Sequence, residues 1–282
     1  MNDDFNLRFG GMKTFARSLP VVLLAANFVS AAIAAPPEGY KRVWADEFDG
    51  TSLDTNKWVH WLPGKRRDAR NVPDAVSVSN GCATITSYTK AGQHFTGMIS
   101  TEGKFEPIRG YWEARIRFDD SPGMWSAFWL QSPTMGRPIG ETAKAGIEID
   151  ICEHRVLGKD GEQVAAKIQH TLHWDGYGSS HKSKGKLTPE MKLDSDFHVY
   201  GFEWTESAYR FYVDGQLTWT VNEAISNARE FVILSSEIKD GDWAGPVPTG
   251  GYGELTQSKT RLMVDYVRFY SPEVAAGEPL AR

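Results

Sequence analysis

The segment Ala208-Tyr-Arg-Phe-Tyr-Val-Asp-Gly-Gln-Leu-Thr-Trp-Thr-Val221 carries apolar residues at every second position on either side of Asp214-Gly215. Side chains of an extended strand point alternately to opposite faces, so the pattern is that of two half-buried strands. Asp-Gly between such runs supplies the two positive-φ residues of a type I′ turn, and the segment predicts a β-hairpin. The same texture returns in VSVSNGCATITSY, GYWEARIRF, MWSAFWL, GIEIDI, KIQHTLHW, FHVYGFEW, REFVILSSEI and TRLMVDYVRFY. No ten-residue amphipathic helical pattern separates these runs, which argues for an all-β sandwich or barrel and against an α/β fold.

The 282 residues can form one β domain of this kind, and 27 Gly with 10 Trp and 10 Tyr fit many turns and aromatic surface to spare. Ahead of the first strand pattern, Lys13 and Arg17 precede an apolar run, Leu19 to Ala35, that contains Ala32-Ile33-Ala34. This is the layout of a secretory signal over residues 1–34, with Met12 as an alternative start because Asp3 and Asp4 are foreign to a basic leader. A membrane anchor fits less well, since Asn27 and Ser30 interrupt an already short run. The expected product is a secreted or periplasmic monomer with a loose tail over 273–282. Loss of residues 1–34 removes Arg8, Lys13 and Arg17 against Asp3 and Asp4, taking the net charge from −5 to −6. That balance speaks against a nucleic-acid partner, and no later apolar run is long enough for a membrane. Cys82 and Cys152 both lie in strand contexts and read as two free thiols, one disulfide being the alternative. They carry no zinc pattern.

The segment Gly146-Ile-Glu-Ile-Asp-Ile-Cys-Glu-His154 places three carboxylates in an apolar strand. Alternation puts Glu148 and Asp150 on one face and the isoleucines on the other, but sends Glu153 into the core. Burying an unpaired carboxylate costs several kcal/mol, so a one-residue bulge at Ile151-Cys152, returning Glu153 to the polar face, is the cheaper arrangement. Two carboxyl groups that lean together across a concave strand are what glycoside hydrolysis needs, one as nucleophile and one as acid and base. Asp150 between them would raise a neighbour's pKa by like charge. A calcium site or a charged edge strand are the alternatives; the first usually draws on a Gly-bearing loop, and the second rarely sets acids alone among isoleucines.

This acidic strand resembles the active-site strand of glycoside hydrolase family 16 in its bulged E-x-D-x-x-E form, shared by laminarinases, agarases and κ-carrageenases. RVWADEFDGTSLDTNKW at 42–58, RGYWEARIRF at 109–118, GMWSAFWLQSP at 123–133, FHVYGFEWT at 197–205 and MVDYVRFY at 263–270 resemble further blocks of that family in its order. The resemblance implies a β-jelly roll of two antiparallel sheets with a concave cleft over 38–272, acting as a retaining endo-β-glycanase on a β-1,3-glucan or a marine galactan. It assigns Glu148 as nucleophile, Asp150 as its helper and Glu153 as acid/base. It also implies that His173 lies near the acid/base, and that Glu47, Gly81 and Asp265 could hold a structural calcium, although no cofactor is required. A non-catalytic carbohydrate binder and a transglycosylase share the fold and stand as alternatives.

Trp125 and Trp129 share one face of their strand, where indole rings can stack on sugar or pack in the core. Trp174 carries the same two readings, and His170, three residues before His173, belongs to the opposite face, in the core or at an edge. The loop 131–145 precedes the acidic strand, a position that often edges a binding site, a plain surface connection being the commoner alternative. Where many glucanases of the family carry glucan-binding residues, this chain has Lys65, Arg66, Arg67 and Arg70. Arg70 is the expected substrate contact: a guanidinium grips sulfate or carboxylate bidentately, and a solvated basic loop is the alternative. Glu237 either points into the cleft or pairs with a base.

Overall fold

The computed structural model describes Met1, residues 36–193 and residues 196–273. The chain divides into two units, Met1–Ala31 and Ala32–Arg282. The expected signal and the expected tail after Glu273 lie outside the described residues. The second unit holds every strand of the fold.

Two antiparallel sheets face each other. The backing sheet runs in the order Gln216–Val221, Tyr209–Val213, His198–Trp204, Gly110–Asp119, Arg261–Pro272, Cys82–Thr86 and Val76–Ser79, with Tyr40–Asp46 also paired to the long Arg261–Pro272 strand. The cleft sheet runs Lys182–Leu187, Gln169–Trp174, Glu148–His154, Met124–Gln131, Phe231–Ile238, Met98–Ser100 and Val59–His60. Inward-facing residues of both meet in one core, Trp112, Phe202 and Phe211 from the backing sheet against Phe128, Ile149, Leu172 and Leu234 from the cleft sheet. This is the sandwich that alternating apolar strands require, since each sheet hides one face on the other. Cys82 and Cys152 are both free, Cys152 fully buried as a small core residue. Among the described residues no helix is long and apolar enough to cross a membrane.

The hairpin forms as its sequence predicts, with Val213 opposite Gln216 and φ of 49° and 75° at Asp214 and Gly215. Its second strand holds a feature that the alternation hid. Phe211 opposes Trp219 while Tyr212 opposes Leu217, which leaves Thr218 as an extra residue. Beyond this bulge Trp219 and Val221 enter the core, whereas Leu217, in step with them by sequence, is 52% exposed.

A third sheet, not anticipated, joins Gly64–Arg66, Ala69–Asn71, Gln93–Thr96 and Tyr88–Lys90, with Ala69–Asn71 and Gln93–Thr96 parallel. Strands of three and four residues are too short to show a period, and a parallel pair joins segments distant in sequence.

The acidic strand is launched by Gly146, whose φ of 71° and close approach to the Ser132 side chain, which any Cβ would strike, exclude other residues. The next backbone N–H, of Ile147, donates to Oε1 of the fully buried Glu230 at 3.3 Å. Burial pushes the Glu230 carboxyl up to about 8, with hydrogen bonds from Ser226 and Ile147 opposing. Folding therefore takes up a proton between the unfolded and folded pKa values, and stability falls as pH rises from about 4.5 to about 8. Glu230→Gln fixes the neutral form: its melting temperature should match the wild type near pH 4.5 and exceed it by a margin that widens up to pH 8, read by thermal melts across that range.

Candidate active site

The acidic strand bulges where the burial argument requires. On one side Phe128 opposes Cys152 and Trp129 opposes Asp150; on the other Thr171 opposes Asp150 and Gln169 opposes Glu153. Ile151 and Cys152 thus both enter the core, and Glu148, Asp150 and Glu153 all line one cleft of about 770 Å³. Trp61, Trp125, Trp129, Gln131, Tyr177, His173, His181, Ser235 and Glu237 contribute to its walls, together with Lys65, Arg66 and Arg67.

Each carboxyl has its own surroundings. Glu148 is raised by burial, but the Tyr177 hydroxyl donates to its Oε2, and this bond and the nearby His173 hold it down. Gln131 Nε2 donates to the same Tyr177 oxygen at 2.8 Å. Asp150 is pushed well up by burial and then by the charges of Glu148 and Glu237. Its Oδ2 makes no hydrogen bond and lies 3.4 Å from His173 Nε2. Glu153 is also pushed well up, by burial and then by Asp150 and Glu148; Thr171 Oγ1 donates to it at 3.4 Å. Glu148 has a hydrogen-bond donor that favours its charged form, whereas Glu153 sits among acids that favour its neutral form. Glu148, Asp150 and His173 also offer ligand atoms within 4.8 Å of one another, close enough to hold a cation.

The opposite wall is basic. Arg66 donates to Glu237 Oε1 at 2.8 Å and Arg67 to Oε2, so two guanidinium groups share one buried carboxylate and the trio keeps a net positive charge. Arg67 also lies over the Trp125 ring at 4.9 Å, and Trp243 meets that ring edge-on at 5.4 Å. Trp129 donates to Ser235 Oγ at 3.0 Å and packs against Trp61, which is half-buried and offers more free ring than either expected tryptophan.

The model of the family described as "Beta-porphyranase A-D, GH16 domain" matches residues 41–272. The chain belongs to glycoside hydrolase family 16. Beta-porphyranase E of Zobellia galactanivorans is 30% identical over 212 residues, 66% of this chain and 71% of that protein. Glucan endo-1,3-beta-glucosidase A1 of Niallia circulans is 24% identical over 83% of this chain. The chain spans only part of the length of such curated relatives, 38% of that glucosidase and 46–55% of three others. Among solved structures, the laminarinase catalytic domain of Thermotoga maritima superposes with a TM-score of 0.65 at 27% identity, covering 83% of this chain and 99% of that one.

Not every expected site residue falls where the sequence reading put it. His173 stands opposite Glu148 in the ladder, Nε2 at 3.8 Å from its Oε1, and not in hydrogen-bond contact with Glu153. The strands are antiparallel, so the residue across from Glu153 is Gln169. Trp174 follows His173 and points the other way, packing against the core. Arg70 is exposed and does not line the cleft; within that three-residue strand its buried neighbours Ala69 and Asn71 face inward, and the turn at Arg67, φ 51°, brings Arg66 and Arg67 to the cleft in its place. His170 lies in the core, one of the two places expected for it. The calcium residues do not fit a cation here. Glu47 accepts from Arg268 Nε at 2.9 Å and Nη2 at 2.8 Å and from Arg42 at 3.3 Å, and Asp265 accepts from Arg115 at 2.8 Å. Guanidinium groups already answer both charges.

Sequence patterning does not single out Trp61 or Tyr177. Each follows a cleft strand, in WLPGKRR and HWDGYG, but the turns that aim them into the cleft are not periodic. Gly140 N–H donates to Asp175 at 2.8 Å, which joins the loop 131–145 to the turn carrying Tyr177. Of that loop only Gln131, at the end of its strand, lines the cleft. Tyr177→Phe removes the donor that favours ionised Glu148, so the acidic limb of the pH profile of kcat/KM should move to higher pH, with the alkaline limb in place.

Proposed function

We propose that this family 16 chain is an exported, retaining endo-β-glycanase. Glu148 attacks the anomeric carbon; Glu153 protonates the leaving oxygen and then takes a proton from water as the glycosyl–Glu148 ester is hydrolysed. The observation that carries this reading is the bulge, which sets both glutamates and Asp150 on one cleft floor. Electrostatics supports the division of roles: the hydrogen-bonded Glu148 suits an ionised nucleophile, and Glu153, raised by burial and by neighbouring acids, suits a proton donor. Asp150, raised further by Glu148, can hold a proton against that carboxylate and release it as the nucleophile's charge is spent in the ester. An acid pair so placed has no use in a binding protein. Glu148→Gln and Glu153→Gln should each lower kcat by at least ~10³-fold with a melting temperature no lower than that of the wild type, and Asp150→Asn should cost less. Retention is checked by proton NMR, in which the first product should carry the β-anomer.

For substrate, the reading best supported is an anionic galactan of the agar family. The basic wall of Lys65, Arg66 and Arg67 favours sulfate or carboxylate on the polymer, and both the matching family model and a 30% identical relative carry porphyranase names. A neutral β-glucan is the second reading, favoured by the likeness to a laminarinase structure. Reducing-end release on porphyran, agarose, κ-carrageenan, laminarin and lichenan, with Glu148→Gln as control, separates them. Cleavage of porphyran that weakens with added salt is expected, and cleavage of laminarin or lichenan alone would overturn it.

A further inference from the structure

We propose that His170 is a positioning residue: it sets the spacing of the cleft carboxyl groups by tying the bulge beneath them to the second bulge, at Thr218, in the backing sheet. The inference rests on the reading of Glu148 and Glu153 as the catalytic pair.

The ladder between Glu148–His154 and Gln169–Trp174 skips from Asp150↔Thr171 to Glu153↔Gln169, so His170 alone faces both Ile151 and Cys152. An extra residue interrupts a ladder and leaves its backbone groups in need of other partners. The His170 side chain provides one. Its Nδ1 lies 2.6 Å from the Ile151 carbonyl, and since a carbonyl can only accept, Nδ1 carries the proton and donates it. The other nitrogen, Nε2, lies 2.9 Å from Thr218 Oγ1. Thr218 is the extra residue of the backing-sheet hairpin, and its hydroxyl is also 2.9 Å from the carbonyl of Phe211, beside which that register slips. One imidazole therefore spans the sandwich from the irregular point of one sheet to the irregular point of the other.

The ring's surroundings suit a strut. It is fully buried, 4.9 Å from the Phe211 ring and 6.4 Å from the Trp219 ring, centre to centre, and stacked on the latter. Burial pushes its pKa down to about 4, so it stays neutral, with Nδ1–H for the Ile151 carbonyl and a bare Nε2 that shares the single Thr218 hydroxyl proton with the Phe211 carbonyl. It touches no cleft residue's carboxyl. Its action is through the main chain: Ile151 lies between Asp150 and Glu153, so a shift of its carbonyl changes how far Glu153 stands from Glu148. Reacting groups misplaced by about 1 Å can cost about 10²-fold in rate.

Three variants test this. His170→Leu fills the space without a donor; His170→Asn keeps an amide N–H near the position of Nδ1; Thr218→Val removes the far anchor while keeping the branched shape. With all three assayed at a temperature where circular dichroism shows them folded, His170→Leu should lower kcat on the polysaccharide by roughly 10–100-fold with KM within about threefold, and Thr218→Val and His170→Asn, which both keep the Ile151 contact and lose the far anchor, should each lower it by less. A dinitrophenyl β-glycoside of the cleaved oligosaccharide, assayed with azide, needs little proton donation and no base from Glu153, so the loss on it should shrink. A merely structural role would lower both substrates equally, and that result overturns the proposal, as do wild-type kinetics in Thr218→Val or failure of His170→Asn to rescue. If His170→Leu does not fold, Thr218→Val carries the test. Activity retained in Glu148→Gln or Glu153→Gln would sink the catalytic pair itself, whereas loss there with normal kinetics in His170→Leu and Thr218→Val sinks the His170 role alone.

Discussion

A strand has a side-chain period of two, and three carboxyl groups of the acidic strand must face water at positions 148, 150 and 153. The last breaks step, and the conflict is resolved by one surplus residue. Everything about the cleft floor depends on that resolution: Ile151 and Cys152 stay in the core, Glu153 returns to the cleft, and a ladder is interrupted beneath the cleft carboxyl groups. An unsatisfied buried carbonyl costs roughly 1–3 kcal/mol, so a bulge in a sandwich interior persists where a polar partner is at hand. His170, an otherwise anomalous ring in an apolar layer, is that partner.

The cleft also has to hold like charges close together. Burial raises the pKa values of Glu148, Asp150 and Glu153, with the charge of Glu237 adding at Glu148, those of Glu148 and Glu237 at Asp150 and those of Asp150 and Glu148 at Glu153, while Glu237 is itself paired from across the cleft with Arg66 and Arg67. Without those arginines Glu237 would add its full charge to the burden on Asp150, which already registers it. The basic wall thus acts on the floor's protonation as well as on whatever polymer lies between them.

What could be read from the residues was whatever a local rule constrains. Asp214-Gly215 demands its turn, and the misfit of Glu153 demands a bulge at Ile151-Cys152; both needed only nearby residues and a knowledge of which face is wet. Thr218 shows the limit, because a bulge that offends no burial rule leaves no trace in the alternation. Register across strands was equally silent: which residue faces Glu148 depends on how the Gln169–Trp174 strand slides, and that put His173 beside Glu148 where Glu153 had been expected. Arg70 and Arg66 are four residues apart, and their fates differ through a tight turn and a pair of three-residue strands. Glu237 could be noticed but not placed, since its partners lie some 170 positions away.

The small third sheet carries Arg66 at the end of its first strand, with Arg67 in the turn after it, and it reaches the cleft sheet through Glu237. On the proposed reading, bond cleavage and polymer choice belong to different layers of one domain. On that reading the gripping layer is a short sheet, tied to the cleft sheet by the Asp68 N–H to Ile238 carbonyl bond and by Glu237, so its side chains can be rewritten while the acidic strand and the strut beneath it are left alone. Modularity of this kind operates below the scale of a domain and needs no new fold to yield a new diet.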